Sequence, residues 1–245
     1  MIRKATYVLV HGGGHGGWCW SRAKPKLRAK GHEVHTPTLT GLGERVHLLT
    51  ADVGLGTHIT DIVNVLRYED LANVILVGHS YGGFVITGVA DRAPDRVGHL
   101  VYLDAAIPVS GESIVDNSPG MKTFADQDMR TVDGIALVLW PDGPVAQKIY
   151  GVGASDWAWM KEKLTPHPWR AFTEKLVLQN PQTVQEIPRT IINCSTTVHK
   201  LRPAETRARY LAGDRVWEID AGHDLMITEP DAVADMLLKL ANQNP

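Results

Sequence analysis

The chain has 245 residues, of which 44% are hydrophobic and 21% are charged, and this composition is ordinary for a globular protein with a substantial core. Its formal net charge of −2 at pH 7 gives no electrostatic reason to expect nucleic acid or an anionic membrane as a partner. Two cysteines, Cys19 and Cys194, are too few for a disulfide framework. The sequence has neither a signal-peptide pattern at its start nor an apolar run long enough to span a bilayer. A soluble, cytoplasmic protein is therefore expected.

Predicted strands and helices alternate along most of the chain. Short apolar runs predict strands at residues 6–10, 33–39, 74–77, 97–103, 190–194 and 216–219. Amphipathic or apolar segments predict helices at residues 18–30, 57–68, 84–90, 203–211 and 231–240. Pro25 is an expected irregularity in the first of these helices. The alternation implies an α/β fold, in which helices cover both faces of a mostly parallel sheet.

The alternation stops between residues 107 and 187. This segment contains many prolines and helix-like pieces but no convincing core strand. It holds four of the chain's seven tryptophans, which are Trp140, Trp157, Trp159 and Trp169. We therefore predict a core of residues 1–106 and 188–245, with a helical cap (lid) of residues 107–187 inserted after the strand that ends near Asp104.

A possible nucleophile lies between the predicted strand 74–77 and the predicted helix 84–90. Residues 78–82 read Gly-His-Ser-Tyr-Gly and fit the pattern G-x-S-x-G, in which a sharp turn strains the serine backbone and exposes its hydroxyl. The pattern alone is unspecific, but the strand before it and the helix after it are the required context. A glycine-rich nucleotide-binding turn is the alternative, yet neither G-x-G-x-x-G nor the Walker pattern occurs there. We interpret Ser80 as a nucleophile.

A serine hydroxyl needs a base, usually histidine, and a third group that orients the base. Among eleven histidines, His223 lies in a small-residue loop between the predicted strand 216–219 and the last helix. Such a loop emerges at the same edge of a parallel sheet as the nucleophile turn, and the order of serine before histidine also fits. His79 should point away from Ser80 and serve as scaffold. The remaining histidines outside the glycine loop have no motif around them and are expected at the surface or packed.

The first strand is followed by His-Gly-Gly-Gly-His-Gly-Gly at residues 11–17. Glycines let this loop approach a ligand closely, and Gly12 is predicted to border the substrate. An oxyanion needs two N–H donors that are already in position. The predicted donors are the N–H of Gly13 in this loop and the N–H of Tyr81, directly after Ser80. His11 and His15 could instead ligate a metal. A loop of glycines is not a helix face, however, and no third ligand is evident, so neither a metal nor a cofactor is expected.

Together, three segments resemble the α/β-hydrolase fold. They are His-Gly-Gly-Gly-His-Gly-Gly-Trp at 11–18, Gly-His-Ser-Tyr-Gly-Gly at 78–83 and Gly-His-Asp at 222–224. More narrowly, they resemble its branch of small esterases, plant methylesterases and hydroxynitrile lyases, including bacterial aryl-ester and pyrethroid-type carboxylesterases. The resemblance covers both halves of the core and is weak through the cap. It implies the same nucleophile, base and oxyanion donors as the residues themselves.

The chain departs from that branch at the third member of the triad. Plant members carry an aspartate in the loop after the strand that matches 190–194, whereas residues 195–199 here read Ser-Thr-Thr-Val-His. Asp104 is the preferred acid, because it ends the strand just after the nucleophile unit, where certain lipases and lactonases place theirs. The alternatives are that Asp104 only braces the entry to the cap, that Glu205 or the more distant Asp214 serves, or that no acid is present.

Ser80 also argues against haloalkane dehalogenases and epoxide hydrolases, which attack with an aspartate. The hydroxynitrile lyases carry lysine and threonine where this chain has Asp224 and Gly12. We therefore expect a serine carboxylic-ester hydrolase that forms an acyl-enzyme on Ser80. Lactone opening by the same residues and a non-catalytic ligand-binding receptor are the alternatives.

The cap is expected to supply substrate specificity. Trp140, Trp157 and Trp159, with Met121, Tyr150 and Met160, suggest a pocket for an apolar or aromatic group of a small to medium ester. The alternative is that these side chains only pack the cap onto the core. The expected partner is thus a small-molecule ester or lactone, and the oligomeric state is not predicted.

Overall fold

A computed structural model describes residues 4–118, 120–196 and 204–243. The strands are β1 (Thr6–Val10), β2 (Glu33–His35), β3 (Val74–His79), β4 (Val97–Leu103), β5 (Met129–Val132), β6 (Ile135–Val138), β7 (His167–Pro168), β8 (Arg189–Cys194) and β9 (Arg215–Ile219). Six of them form one parallel sheet in the order β2-β1-β3-β4-β8-β9. The predicted α/β fold with a mostly parallel sheet is confirmed.

The helices are α1 (Lys24–Ala29), α2 (Leu55–Tyr68), α3 (Gly82–Arg92), α4 (Ile114–Asn117), α5 (Gly120–Asp128), α6 (Gly143–Tyr150), α7 (Ala154–Met160), α8 (Trp169–Thr173), α9 (Pro181–Glu186), α10 (Ala204–Arg207), α11 (Leu225–Thr228) and α12 (Pro230–Gln243). Short 3₁₀ helices cover Gly17–Trp20, Gly43–Leu48, Pro94–Arg96 and Ala208–Leu211. No helix in these described parts of the chain combines the length and the apolar character needed to cross a bilayer.

Alternate side chains of each strand face opposite sides of the sheet, and both sides are covered. On β1, Val8 and Val10 belong to the apolar cluster that contains α2 and α3. Tyr7 and Leu9 belong to the cluster that contains α1, α11 and α12. This period of two explains why the strands are continuous apolar runs, because neither face meets water.

Two of the predicted elements were too long. The predicted strand 33–39 ends at His35, because Pro37 lacks the N–H group that a longer ladder would require. The predicted helix 18–30 is divided into the 3₁₀ helix Gly17–Trp20 and α1. A proline is the cause here too. Pro25 lies in the first turn of α1, where its missing N–H costs nothing, so a new helix begins at this point. Residue 203, where the helix 203–211 was predicted to begin, lies outside the described residues.

In its described residues, the cap adds no strand to the parallel sheet, as predicted, but it is not purely helical. β5, β6 and β7 form a three-stranded antiparallel sheet. Asp133 and Gly134 join the first two strands with φ angles of 50° and 78°, as in the two-residue hairpin turn that Asp-Gly favours. The cap contributes Phe172 to one apolar cluster and Met160 to the other. Its division from the core as a separate domain stays a prediction.

Candidate active site

The loops that carry the predicted site residues meet at one edge of the parallel sheet. They follow the carboxyl ends of β1, β3, β4 and β9. β2 lies on one side of β1, and β3 lies on the other side. The order in which the chain adds strands to the sheet therefore reverses between β1 and β3. Ligands of open α/β sheets bind in the crevice at such a point. The glycine loop after β1 and the turn after β3 border this crevice.

Ser80 lies in a strained turn between β3 and α3. Its φ angle is 53°, in the left-handed region that a residue with a side chain rarely adopts. Its carbonyl oxygen accepts hydrogen bonds from the amides of Gly83 (3.1 Å) and Ala106 (3.0 Å), which hold the turn in place. A side chain at Gly12 would put a Cβ atom 2.9 Å from the Cβ atom of Ser80. Glycine is therefore required at position 12 for this loop to approach the serine.

Ser80, His223 and Asp104 form a continuous line of hydrogen bonds. The Ser80 Oγ atom lies 3.0 Å from His223 Nε2, and His223 Nδ1 lies 2.6 Å from Asp104 Oδ2. Because a carboxylate only accepts, Nδ1 carries the ring proton and Nε2 is left to accept from the serine hydroxyl. The His223 side chain is 25% exposed and that of Asp104 is 6% exposed. The His223 ring is therefore accessible to a ligand while it is hydrogen-bonded to the Asp104 carboxylate.

Backbone and side-chain contacts hold this line of hydrogen bonds at both ends. Asp104 has a φ angle of 43°, and its Oδ1 atom accepts a hydrogen bond from the amide of Cys194 at 3.2 Å. At the other end, the His79 Nε2 atom lies 2.9 Å from the carbonyl oxygen of His223 and donates to it. Burial lowers the pKa of His79 to about 3, so that ring is neutral. His79 thus has the scaffold position expected of it.

Of the alternative acids, Asp214 is less well placed than Asp104. Asp214 accepts a hydrogen bond from the amide of Arg189 at 2.7 Å and precedes β9, at the opposite edge of the sheet. Glu205 lies in α10, and its side chain is outside the described part of the structure. In the loop after β8, Ser195 donates to Asp220, while residues 197–199 are not among the described residues.

The peptide that carries the Gly13 N–H is held by a buried histidine. His11 Nδ1 lies 2.8 Å from the carbonyl oxygen of Gly12, and its Nε2 accepts from the amide of Leu39 at 3.0 Å. Burial lowers the pKa of His11 to about 3, so the neutral ring donates through Nδ1 only. The Gly12 C=O and the Gly13 N–H belong to one planar trans peptide. Fixing the carbonyl therefore fixes the predicted oxyanion donor.

Tyr81 is held by another buried histidine. The His58 Nδ1 atom accepts from the Tyr81 hydroxyl at 2.9 Å, and His58 Nε2 donates to the carbonyl oxygen of Thr40 at 3.0 Å. Burial lowers the pKa of His58 to about 4, in agreement with a neutral ring. The Tyr81 ring also contacts His167 and Phe172 at centroid distances of 4.9 and 5.4 Å. The sequence offered no signal for His58 or His167, because their partners are distant along the chain.

Of the three predicted substrate-binding tryptophans, one lies beside the glycine loop. A Cβ atom on Gly13 would lie 3.1 Å from the ring of Trp140, whose Nε1 donates to the Thr165 carbonyl. Trp157 is buried, stacks on Tyr150 and donates to Asp142. Substrate contact stays a prediction for Trp140. The structure gives Trp157 packing contacts instead.

Trp159 also has contacts with side chains outside the glycine loop. Its ring meets Trp18 edge-on at 5.4 Å, and the Arg22 guanidinium lies 4.8 Å from its centroid. Met160 and Tyr150 are buried at 0% and 3% exposure, as expected of side chains that pack the cap onto the core. For these residues the packing interpretation fits the structure better than the pocket.

One group of metal-type donors occurs among the described residues. His79, His223 and Asp224 have ligand atoms within 4.8 Å of one another. Each of these side chains makes at least one hydrogen bond, because His79 donates to the His223 backbone, His223 bonds to Ser80 and Asp104, and Asp224 bonds to His15. At the glycine loop, both nitrogens of His11 and of His15 have hydrogen-bond partners. These donors are arranged as a hydrogen-bond network.

Comparison with known proteins identifies the family. The model of the alpha/beta hydrolase family matches residues 7–236. The chain belongs to the alpha/beta hydrolase family. A carbendazim hydrolyzing esterase of Nocardioides sp. is 34% identical over 96% of this chain and 99% of its own length. Methylesterase 3 of Arabidopsis thaliana is 26% identical over 98% and 97% of the two chains.

A solved alpha/beta-hydrolase with the same fold is an extracellular protein of a Paenibacillus species. It superposes with a TM-score of 0.79 at 24% identity and covers 98% of this chain and 99% of its own. The expected resemblance to the esterase and methylesterase branch of the alpha/beta hydrolases is thus confirmed. So is the enzyme class, carboxylic ester hydrolase.

Proposed function

We propose that this alpha/beta hydrolase is a serine carboxylesterase with Ser80 as nucleophile, His223 as base and Asp104 as the acid that orients the base. The observation that carries the proposal is the line of hydrogen bonds from Ser80 Oγ to His223 (3.0 Å) and from His223 to Asp104 (2.6 Å). This arrangement activates a hydroxyl at neutral pH, because the ring nitrogen takes the proton as the oxygen attacks.

The reaction proceeds through an acyl-enzyme. Ser80 Oγ attacks the ester carbonyl carbon while its proton passes to His223 Nε2, and the N–H groups of Gly13 and Tyr81 stabilise the oxyanion. Collapse of the tetrahedral intermediate breaks the bond to the alcohol, which leaves with the proton from His223. A water molecule, deprotonated by the same ring, then attacks the acyl carbon. The carboxylic acid leaves and Ser80 regains its proton.

We further propose small to medium esters with an apolar or aromatic group as substrates. Two findings support this class. The Trp140 ring lies against the glycine loop beside Gly13, and the esterase of Nocardioides that is similar over nearly the whole chain is named for carbendazim. Lactone opening would use the same residues, so lactones belong in the substrate panel. The cytoplasmic location stays a prediction, which cell fractionation tests.

Burst kinetics test the proposed nucleophile. Mixing the enzyme with p-nitrophenyl acetate should release p-nitrophenol in a burst equal to the enzyme concentration, and Ser80→Ala should abolish both the burst and turnover. A fluorophosphonate should add to Ser80 in the wild type, as located by peptide mass spectrometry. Ser110→Ala, at an exposed serine, is the matched control and should keep the burst. Full turnover by Ser80→Ala would contradict the proposal, and tight ester binding without turnover by the wild type would favour the receptor.

A further inference from the structure

Gly13 lies between two peptide planes, and the second plane is held by a buried histidine–aspartate pair. The carbonyl oxygen of Gly13 lies 2.8 Å from Nδ1 of His15, and His15 Nε2 lies 2.9 Å from Oδ2 of Asp224. The two side chains are 2% and 0% exposed. The amide of Gly14, in the same peptide as the Gly13 carbonyl, donates to His167 Nδ1 at 3.2 Å. Both ends of this peptide are therefore bonded to side chains.

Hydrogen-bond partners on both ring nitrogens fix the orientation of His15. A carbonyl oxygen can only accept, so Nδ1 donates to Gly13, while Nε2 faces the Asp224 carboxyl group. Burial acts to raise the pKa of Asp224, but the charge and hydrogen bond of His15 oppose it, and the pKa is lowered overall. Asp224 thus holds the His15 ring so that Nδ1 is directed at the Gly13 carbonyl.

Asp224 is itself fixed, and it directly follows His223. Its amide donates to the carbonyl oxygen of Tyr150 in α6 at 2.9 Å. The pair therefore joins the loop of the proposed base to the loop of a proposed oxyanion donor. These two loops are 209 residues apart in sequence.

A glycine loop is a poor oxyanion site unless something else holds it. Glycine has the widest range of backbone conformations of any residue, whereas oxyanion stabilisation depends on donors that are in position before the reaction begins. Five of residues 11–17 are glycines. The restraint comes from the two histidines of this loop, His11 on one side of Gly13 and His15 on the other, and each ring is anchored outside the loop, at Leu39 and at Asp224.

We propose that His15 and Asp224 are positioning residues for the Gly13 oxyanion donor. This inference rests on the proposed function, because it assumes that Gly13 contacts the oxyanion. His15 holds the Gly13 carbonyl, and Asp224 holds the His15 ring in the orientation that directs Nδ1 at that carbonyl. Neither side chain touches the substrate.

Two substitutions of His15 separate positioning from stability. Asparagine carries its amide nitrogen where imidazole carries Nδ1, so His15→Asn keeps a donor to Gly13 and loses the contact with Asp224. Glutamine carries its amide one atom further out, where imidazole carries Nε2, so His15→Gln keeps the contact with Asp224 and loses the donor to Gly13. We measure kcat and KM for p-nitrophenyl acetate and the Tm of each variant. His99→Leu removes a buried histidine that bonds to Thr190 within the sheet, and it is the matched control.

The two readouts should rank the variants in opposite orders. Since a displacement of about 1 Å can cost up to about 10²-fold in rate, kcat should fall by about 10- to 100-fold in His15→Gln and by less than about threefold in His15→Asn, with KM changed by less than about twofold in both. Tm should be lower in His15→Asn, where buried Asp224 loses its partner. His99→Leu should lower Tm and leave kcat as in the wild type.

Equal kcat losses in the two His15 variants, or losses that follow Tm, would overturn the positioning role. Ser80→Ala, measured beside them, separates a failure of the proposed function from a failure of the positioning role. If Ser80→Ala still turns over, the proposed function is wrong. If Ser80→Ala is inactive while His15→Gln matches the wild type, the proposed function stands and the inference is wrong.

Discussion

Two histidine–aspartate pairs lie side by side in this protein, and they differ in surroundings rather than in chemistry. His223 and Asp104 are 2.6 Å apart, and the His223 side chain is 25% exposed. His15 and Asp224 are 2.9 Å apart, and neither side chain is more than 2% exposed. The second ring nitrogen of His223 faces a serine hydroxyl, whereas that of His15 faces a backbone carbonyl.

The group that faces the second ring nitrogen therefore decides what each pair can do. A hydroxyl can give up its proton, so His223 has a base site at the crevice. A carbonyl has no proton to give, and the His15 ring is buried with partners on both nitrogens. Such a ring cannot act as a general base for a substrate, but it can hold a loop in place. In our proposals, His223 and Asp104 take part in the reaction, whereas His15 and Asp224 position the Gly13 N–H group.

The largest expected effect comes from Asp104→Asn. The amide would present a donor as well as an acceptor to His223 Nδ1, which favours the wrong ring tautomer and removes the charge that stabilises the imidazolium. The corresponding change in serine proteases lowers kcat by about 10⁴, and we expect a loss of similar order here. Steady-state kinetics with p-nitrophenyl acetate measure it. Nearly full activity would show that Asp104 is not the acid.

The same substitution at the other pair should have a far smaller effect. In Asp224→Asn, the amide nitrogen can donate to Nε2 of a neutral His15, which keeps its Nδ1 proton and its bond to Gly13. We expect kcat to fall by less than about tenfold, since the lost charge weakens one hydrogen bond and does not remove it. Kinetics of both asparagine variants under one set of conditions give the comparison. A loss at position 224 as large as that at position 104 would show that the two pairs are equivalent in function.

Much of the core arrangement could be predicted from the sequence, because short patterns and sheet geometry determine it. The motif around Ser80 specifies its own turn, and His223 and Asp104 end strands or follow them in a parallel sheet. Carboxyl ends of such strands share one edge, so their proximity follows without coordinates. The β5–β6 hairpin was missed although Asp133-Gly134 is its local signal, because its strands are short and β5 is exposed along its whole length.

The supporting histidines could not have been found in this way. His58 meets Tyr81, and His167 meets Gly14 across 153 residues, through contacts that no local pattern encodes. His11 and His15 did carry a signal, since they flank the glycine triplet, but the pattern favoured only a choice between metal binding and no role. Their hydrogen bonds to the carbonyls of Gly12 and Gly13 depend on how the loop folds back on itself.

Buried neutral histidines also make stability depend on pH, and this effect should be the smallest. Burial lowers the pKa of His99 from an ordinary value of 6.5 to about 4, and burial lowers those of His11, His58 and His79 as well. Between pH 6.5 and about 4 the unfolded chain binds more protons than the folded one, so the free energy of unfolding falls as the pH falls.

His99→Leu removes one of these groups and should reduce that slope by about 1 kcal/mol per pH unit near pH 5. Urea unfolding at several pH values between 7 and 4.5, followed by circular dichroism, measures the slope, and His47→Gln at an exposed histidine provides the comparison. Equal slopes for His99→Leu and the wild type would mean that His99 takes up its proton in the folded state. The same histidine leaves the rate of ester hydrolysis unchanged in our scheme, so one variant would alter acid stability without altering catalysis.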